Sequence, residues 1–521
     1  MLPLPNTSPN TSLPAELQRY HAEIKELAKS YGLDTYEIVF EMVDHDEMNM
    51  IAAYGGFPTR YPHWRFGMDY EQLSKSYTYG LSKIYELVIN NDPCYAYLMR
   101  ANSTTDQKLV MAHVYGHCDF FKNNYWFSKT NRKMMDVMAN HGTRIRGYMD
   151  RYGVGVVEDF IDCVHALDNL IDPHSPFIER RPRSESRNVS DDDSSDAAAY
   201  EEPRIRAKDY MDRYINPPEV LAAERRKREE EAKKARRFPA EPSRDVLLFL
   251  QQYAPLERWQ QDVLAMLRDE AYYFVPQMMT KIMNEGWAVY WHSKLMCEHL
   301  VEPAEIVTYC DHHSGTLATQ PGRINPYKLG VELFRDIEER WNRGKFGLAW
   351  QNLDIDERRS FDAGVGLGRQ KIFEVRRDHN DVTFIDNFLG EEFAEAQKLY
   401  VYGFNQRSGQ YEILDRDWTK VKAQLLWSLT NFGQPRISIV DGNHANRGEL
   451  YLFHDWNGVD LQFEQAKLTM QSLFTLWSRP VHLETREDGE GRLLTFDGKS
   501  FEFKAMTNSA PAADVIGYGP A

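Results

Sequence analysis

The sequence predicts an α+β fold: a predominantly helical N-terminal region holding a metal-binding helical core, followed by a small α/β C-terminal domain. Three observations predict it. From Leu13 to about Phe177, and again from Ser243, apolar residues recur at helical spacing. Two histidines, His113 and His117, stand one helical turn apart in the first of these stretches. After about Glu392 the pattern changes to short apolar runs punctuated by Gly, Asn and Asp, as strands joined by turns are.

A chain of 521 residues has room for two to four domains and a sizeable core. With 13 % aromatic residues, large amphipathic side chains are expected to fill much of that core. The net charge of -16 argues against a bulk nucleic-acid binder, which carries a basic surface. Cys94, Cys118, Cys163, Cys297 and Cys310 are scattered and form no CxxC pair, which fits a reducing compartment better than a disulfide framework. The opening stretch, MLPLPNTSPNTSLP, lacks the basic and apolar segments of a signal peptide. No apolar run approaches the ~18 residues of a membrane span. A cytoplasmic protein is therefore expected.

In chain order, residues 1–13 read as a disordered lead and 14–177 as the first helical region. It opens with the amphipathic stretch Pro14–Tyr31, and Gly55-Gly56-Phe57-Pro58 breaks it with a loop that reaches about Gly67. Residues 178–242 read as a charged linker. Arg180–Glu202 carries almost no apolar side chain to offset the entropy of ordering. Leu221–Arg237 mixes charges densely enough for a solvated helix held by i,i+4 pairs. Residues 243–391 form the second helical part, which Pro255 and Pro276 should break or kink. The α/β domain, 392–507, is expected to hold a helix at Ala423–Leu429 and strands at Arg436–Val440 and Glu449–His454. Those strands would flank a turn at Asp441-Gly442-Asn443, with a helix at Val459–Trp477 and a strand at Pro480–Thr485 to follow. Residues 508–521 read as a tail.

The sharpest chemical signal is His113-x-x-x-His117, on a helix that Ser103 and Asp106 should cap. Imidazoles four residues apart share a helical face and can reach one ion. The motif is not HExxH: Val114 stands where a metalloprotease carries its general base, and Gly116 excludes the HxxEH variant. Asn284-Glu285-Gly286 supplies a third ligand candidate in a zincin-like setting, and His292, seven residues on, shares a face with Glu285. Glu158, Asp162 and His165 form a stripe on another helix, where Asp-x-x-His resembles half of a two-metal bundle site. Each set has a plainer reading, respectively hydrogen-bonded core histidines, a Glu bound within its own helix, and an ion-pair network. Glu41, Asp44, His45, Asp46 and Glu47 form a further cluster or a solvated face. Asp311-His312-His313-Ser314-Gly315 reads as a turn after a helix. Gly364-Val-Gly366-Leu-Gly368-Arg369 lacks phosphate-loop spacing.

Several long strings run together along the chain. They are Tyr61-Pro-His63-Trp64-Arg-Phe-Gly67, Asn91-Asp-Pro-Cys-Tyr-Ala-Tyr-Leu-Met99, His117-Cys-Asp-Phe-Phe-Lys-Asn-Asn124 and Arg268-Asp-Glu-Ala-Tyr-Tyr-Phe274. Lys281-Ile-Met-Asn-Glu-Gly-Trp-Ala288 follows, then Asn431-Phe-Gly-Gln-Pro435, Asn446-Arg-Gly-Glu-Leu450 and Arg479-Pro-Val-His-Leu-Glu484. In this order, and over nearly the whole chain outside the linker, they resemble the SpoVR family of stage V sporulation protein R-like proteins. The resemblance implies a cytosolic bacterial protein tied to spore-cortex formation, or to starvation and stress in non-sporulating relatives, often beside a PrkA-type serine protein kinase. It supplies no settled reaction.

Two readings follow. In the first the chain is a metal-dependent hydrolase. His113, His117 and Glu285 are its ligands, His292 or the Glu158/Asp162/His165 stripe completes or orients the shell, and Asp119 is the general base. The cofactor would be a divalent metal ion, zinc, or iron or manganese if two metals bind. In the second it is a non-catalytic scaffold or regulator in a kinase-linked complex, docking through the linker and the C-terminal domain. Neither reading involves nucleic acid or a membrane span.

Overall fold

The computed structural model describes residues 13–78, 86–178, 211, 214, 217, 220, 238–239, 241–320, 323–407 and 409–506. The expected lead and tail and nearly all of the charged linker lie outside the described residues. The chain divides into two compact units, Met1–Asp159 with Asp269–Gln434, and Phe160–Arg268 with Pro435–Ala521. Both are built from segments far apart in sequence. Among the described residues no helix is long and apolar enough to cross a membrane.

The first unit begins with the amphipathic helix Ala15–Ser30, which buries Leu17, Tyr20, Ile24 and Ala28 at helical spacing. The region expected to be predominantly helical also holds a sheet. Its strands are β1 (Ile38–Val43), β2 (Glu86–Ile89) and β3 (Cys94–Met99), in the order β1-β3-β2, with β3 parallel to β1 and antiparallel to β2. These runs of four to six residues are too short to show a helical period, and their β-branched and aromatic content favours strands. Helix Thr104–Asn123 follows, capped by the Ser103 hydroxyl, which accepts from the Asp106 N–H at 3.2 Å.

Helix Lys281–Leu295 is buried from Ile282 through His292. Glycines let it approach a helix on each side. A Cβ on Gly116 would lie 2.6 Å from the Ala288 Cα, so helix Thr104–Asn123 needs glycine there. A Cβ on Gly286 would lie 2.4 Å from the Gly330 Cα of helix Pro326–Arg343. The first turn of helix Lys281–Leu295 is held by Asp381, whose carboxylate accepts from the N–H groups of Ile282 and Met283 at 2.8 and 2.9 Å. Pro276 does not break helix Arg258–Met279, which ends three residues later; Pro255 lies in the gap after helix Val246–Tyr253. Asp311–Gly315, expected as a turn, lies inside helix Ile306–Thr316.

The second unit carries a five-stranded sheet, β6 (Ile437–His444), β7 (Glu449–His454), β8 (Val481–Glu487), β9 (Glu490–Phe496) and β10 (Phe501–Ala505), in the order β10-β9-β8-β7-β6. Helix Phe463–Trp477 connects the one parallel pair, β7 and β8. The hairpin β4–β5 (Val401–Asn405, Gln410–Asp415) and helix Trp418–Leu429 belong instead to the first unit.

The expected turn at Asp441-Gly442-Asn443 is corrected. Strand β6 continues through these residues with register shifts, and the chain reverses at Ala445–Gly448, where Ala445, Asn446 and Gly448 have φ of 52, 57 and 68°. Gly442 is glycine for close approach, since a Cβ there would meet the Phe249 ring at 2.8 Å. On the same sheet Glu449 receives both Arg447 Nε (2.6 Å) and Nη2 (2.7 Å) and, on its second oxygen, lies 2.8 Å from His482 Nε2. Arg447 first, then His482, hold its carboxyl down to about 2.

Two outcomes follow. Gly286→Ala should lower stability by at least the ~1–3 kcal/mol typical of overpacking, because the added methyl meets backbone; urea unfolding measures it. The Glu449 contribution is complete above its ordinary value of 4.5 and is lost as pH falls through about 2. Glu449→Gln should therefore lower the melting temperature at neutral and alkaline pH, with the difference shrinking as pH falls from 4.5 toward 2.

Candidate metal centre

Helix Thr104–Asn123 sets His113 and His117 on the face turned to helix Lys281–Leu295, and the contact of Gly116 with Ala288 brings the two backbones close enough for Glu285 to meet them. A fourth side chain, Glu86 at the start of β2, completes the group. His113 Nε2 lies 3.0 Å from Glu86 Oε1 and 3.7 Å from Glu285 Oε2. His117 Nε2 lies 3.6 and 3.5 Å from the same two atoms. Ligand atoms at the corners of a tetrahedron with bonds of ~2.0–2.1 Å stand about 3.3–3.4 Å apart, so all four separations lie within a few tenths of an ångström of that edge.

The atoms facing the common centre are otherwise short of partners. His113 Nε2 and Glu285 Oε2 are buried without a hydrogen bond. The far sides are engaged. Lys281 Nζ takes Glu285 Oε1 at 2.6 Å, leaving Oε2 free. His117 Nδ1 lies 2.9 Å from Asn284 Oδ1, and His113 Nδ1 lies 2.7 Å from His292 Nδ1. The Asn284 carbonyl can only accept, so His117 carries its proton on Nδ1 and presents a bare Nε2 when neutral. Two neutral imidazoles and two carboxylates balance a divalent cation, so the donor set fits one.

Without an ion the cluster holds protons. Burial pushes Glu86 up, but His113 and His117 outweigh it and bring it to about 2. Burial likewise opposes charge on His117, yet Glu285 and Glu86 raise it to about 10. Glu285 falls well below the carboxylate range against the same opposition, through His113 and His117. His292 moves the other way: burial, then the nearby His113 and His313, lower it strongly, so it is a neutral imidazole.

His113, His117 and Glu285 thus meet. His292 does not reach the centre; it stands behind His113 and continues to His313 Nδ1 at 3.1 Å. Asp119, expected as the general base, is not among the converging groups. Residues two apart on a helix point about 200° away from each other, so Asp119 faces away from the side His117 presents. Its oxygens accept from Trp287 Nε1 (2.9 Å) and the Asp34 N–H (2.8 Å), with Arg376 Nε at 3.5 Å.

Glu158, Asp162 and His165 lie outside the group, and no second set of three converging ligands forms among the described residues. Glu158 accepts from the Trp64 N–H at 3.0 Å, at the start of helix Trp64–Thr78, and His165 Nδ1 stands 3.8 Å from Asp168. In the Glu41–Glu47 run, Asp44 and Glu47 form the capping box of helix His45–Ala53. Glu86 was missed because the stretch was read as helix; a lone carboxylate in the apolar run Ile84-Tyr85-Glu86-Leu87-Val88-Ile89 was the available signal.

Comparison with known proteins agrees with this architecture. The family model described as SpoVR like protein matches residues 12–434, and that of the SpoVR-like C-terminal domain matches residues 435–488. The join falls where the first compact unit ends, at Gln434. The Escherichia coli (strain K12) protein named "Uncharacterized protein YcgB" is 30% identical over 506 residues, covering 92% of this chain and 93% of that protein. No solved structure matches. With two family models meeting at a structural boundary and together spanning most of its length, the chain belongs to the SpoVR family.

Proposed function

We propose that this SpoVR-family chain is a metal-dependent hydrolase, with His113, His117 and Glu285 holding one divalent ion and Glu86 acting as the general base expected at Asp119. The observation that carries the reading is the convergence of four ligand atoms, two of them buried orphans, with both histidine Nδ1 atoms already engaged. A divalent ion there would acidify a bound water and polarise an acyl or phosphoryl oxygen. Lys281 restricts Glu285 to its Oε2 atom, and Asn284 and His292 orient the two imidazoles. Glu86, at 20 % side-chain exposure the most accessible of the four, is placed to take a proton from water entering the site. Tyr327, whose hydroxyl burial and then Glu285 keep protonated, is a donor beside it. On this reading, and in keeping with the family resemblance, the activity would belong to the bacterial cytosol and to spore-cortex formation or the starvation response, with a PrkA-type kinase as a partner.

Glu86 also favours a second reading. Four protein ligands close a tetrahedral shell, as structural sites do, and a closed ion would suit a non-catalytic scaffold.

Elemental analysis of the purified protein should find about one divalent ion per chain, lost in His113→Ala and in Glu285→Ala; a metal-free wild-type protein would sink both readings. Asn284→Ala and His292→Ala should weaken metal retention about 10–100-fold. Glu86→Gln separates the readings. As a base it leaves the metal in place, and the visible spectrum of the cobalt-substituted protein shifts on adding acetohydroxamate. If Glu86 is a ligand, Glu86→Gln loses metal and the wild-type spectrum ignores the hydroxamate.

A further inference from the structure

A cavity of about 520 Å³ opens in the first unit between the start of helix Pro326–Arg343, the segment Gln397–Tyr402 and helix Trp418–Leu429. That size suits a small organic ligand. The chain carries 78 Asp and Glu against 62 Lys and Arg, yet no carboxylate lines this cavity, while Arg323, Lys328 and Lys398 do. None of the three pairs with a carboxylate among the described residues. Other cations of the unit do find carboxylates, among them Lys108 with Glu305 and Arg340 with Asp336. The floor is apolar, built from Leu329, Leu399, Val421 and Leu425, with Tyr400 and Tyr402 on the wall.

Lys398 adds a separate observation. Its φ is 54°, the left-handed region where glycine or asparagine is the inexpensive choice. That backbone caps helix Glu391–Ala396, with the Lys398 N–H donating to the Glu395 carbonyl (3.1 Å) and the Leu399 N–H to that of Ala394 (2.9 Å), and it sets Lys398 on the lining of the cavity. The N-terminal amides of helix Pro326–Arg343 add little, because Asn325 Oδ1 already accepts from the N–H groups of Tyr327 and Lys328.

We infer that this cavity is a binding site for a small organic phosphate, its phosphate held by Arg323, Lys328 and Lys398 and its ring or apolar part laid on the leucines and tyrosines. Three cations on the lining and an apolar floor suit a phosphorylated molecule with a ring better than a bare anion. The inference stands on its own lining and does not depend on a metal binding at His113 and His117.

Calorimetric titration of the full chain with adenosine 5′-monophosphate, inorganic phosphate and citrate tests it, on protein as purified and after chelation. The expected result is saturable one-to-one binding of the nucleotide, at least tenfold tighter than of inorganic phosphate, unchanged by chelation and weakened by salt. Lys328→Gln and Lys398→Asn should each weaken it about tenfold, the loss of one charge-assisted contact. Asparagine tolerates the left-handed backbone, so Lys398→Asn should keep or raise the melting temperature while losing affinity, which separates a binding role from a structural one. Binding of citrate alone, nucleotide affinity unchanged in both variants, or no saturable binding of any probe would overturn the inference.

Discussion

Helix Lys281–Leu295 has almost no solvent-facing side, and the rest of the first unit is arranged around that constraint. Contact at Gly116 with Ala288 on one flank, and between Gly286 and Gly330 on the other, packs the helix backbone against backbone. Its polar side chains must therefore find partners inside the protein, since an unpaired buried polar group is costly. Asn284 finds His117, His292 finds His113 and His313, and Glu285 finds Lys281 on one oxygen only. The other oxygen is left facing two imidazoles and a second carboxylate. A site with convergent donors is thus a consequence of packing a polar helix where only an apolar one would be cost-free.

That arrangement is electrostatically poised. Burial opposes every charge in the cluster, while the carboxylates raise the two imidazoles and the imidazoles lower the two carboxylates. Removing any one member strands the remainder, which is why ligand substitutions probe fold and site together and why the spectroscopic behaviour of Glu86→Gln is the more discriminating measurement. The outer layer is as ordered as the inner one. His292, a neutral imidazole between His113 and His313, fixes the His113 ring without carrying charge into the centre.

Much of this was legible in the sequence because it depends on local periodicity. Four-residue spacing put His113 and His117 on one face, and the Asn-Glu-Gly run flagged Glu285. Glu86 was not legible, because its role depends on β2 pairing with β3, a tertiary fact. The same periodicity, applied fully, would have excluded Asp119, two residues beyond His117. In the second unit Asp441-Gly442-Asn443 had the composition of a turn, but glycine there answers to the ring of Phe249. Composition names the residue types a backbone needs and does not say which need is being met. The interleaving of the two units was hidden for a related reason: the strands of the second sheet begin at Ile437, whereas helix Val246–Tyr253 of the same unit lies on the far side of the second helical part.

The first turn of helix Pro326–Arg343 joins the two candidate sites. Successive helical residues project about 100° apart, so one turn can serve two directions. Tyr327 turns its ring to within 6.4 Å of the His113 ring, while its neighbour Lys328 lines the cationic cavity. Asn325 fixes both at once. Its oxygen caps their amides, and its nitrogen donates to the carbonyls of Thr316 and Ala318, at the end of the helix that carries His313. Lys328 therefore shares its turn with Tyr327, at one side of the metal cluster, and that turn is tied through Thr316 to the helix of His313. The separation of the two sites is thus set by the pitch of a single helical turn, which leaves each its own ligand chemistry while giving them one backbone in common.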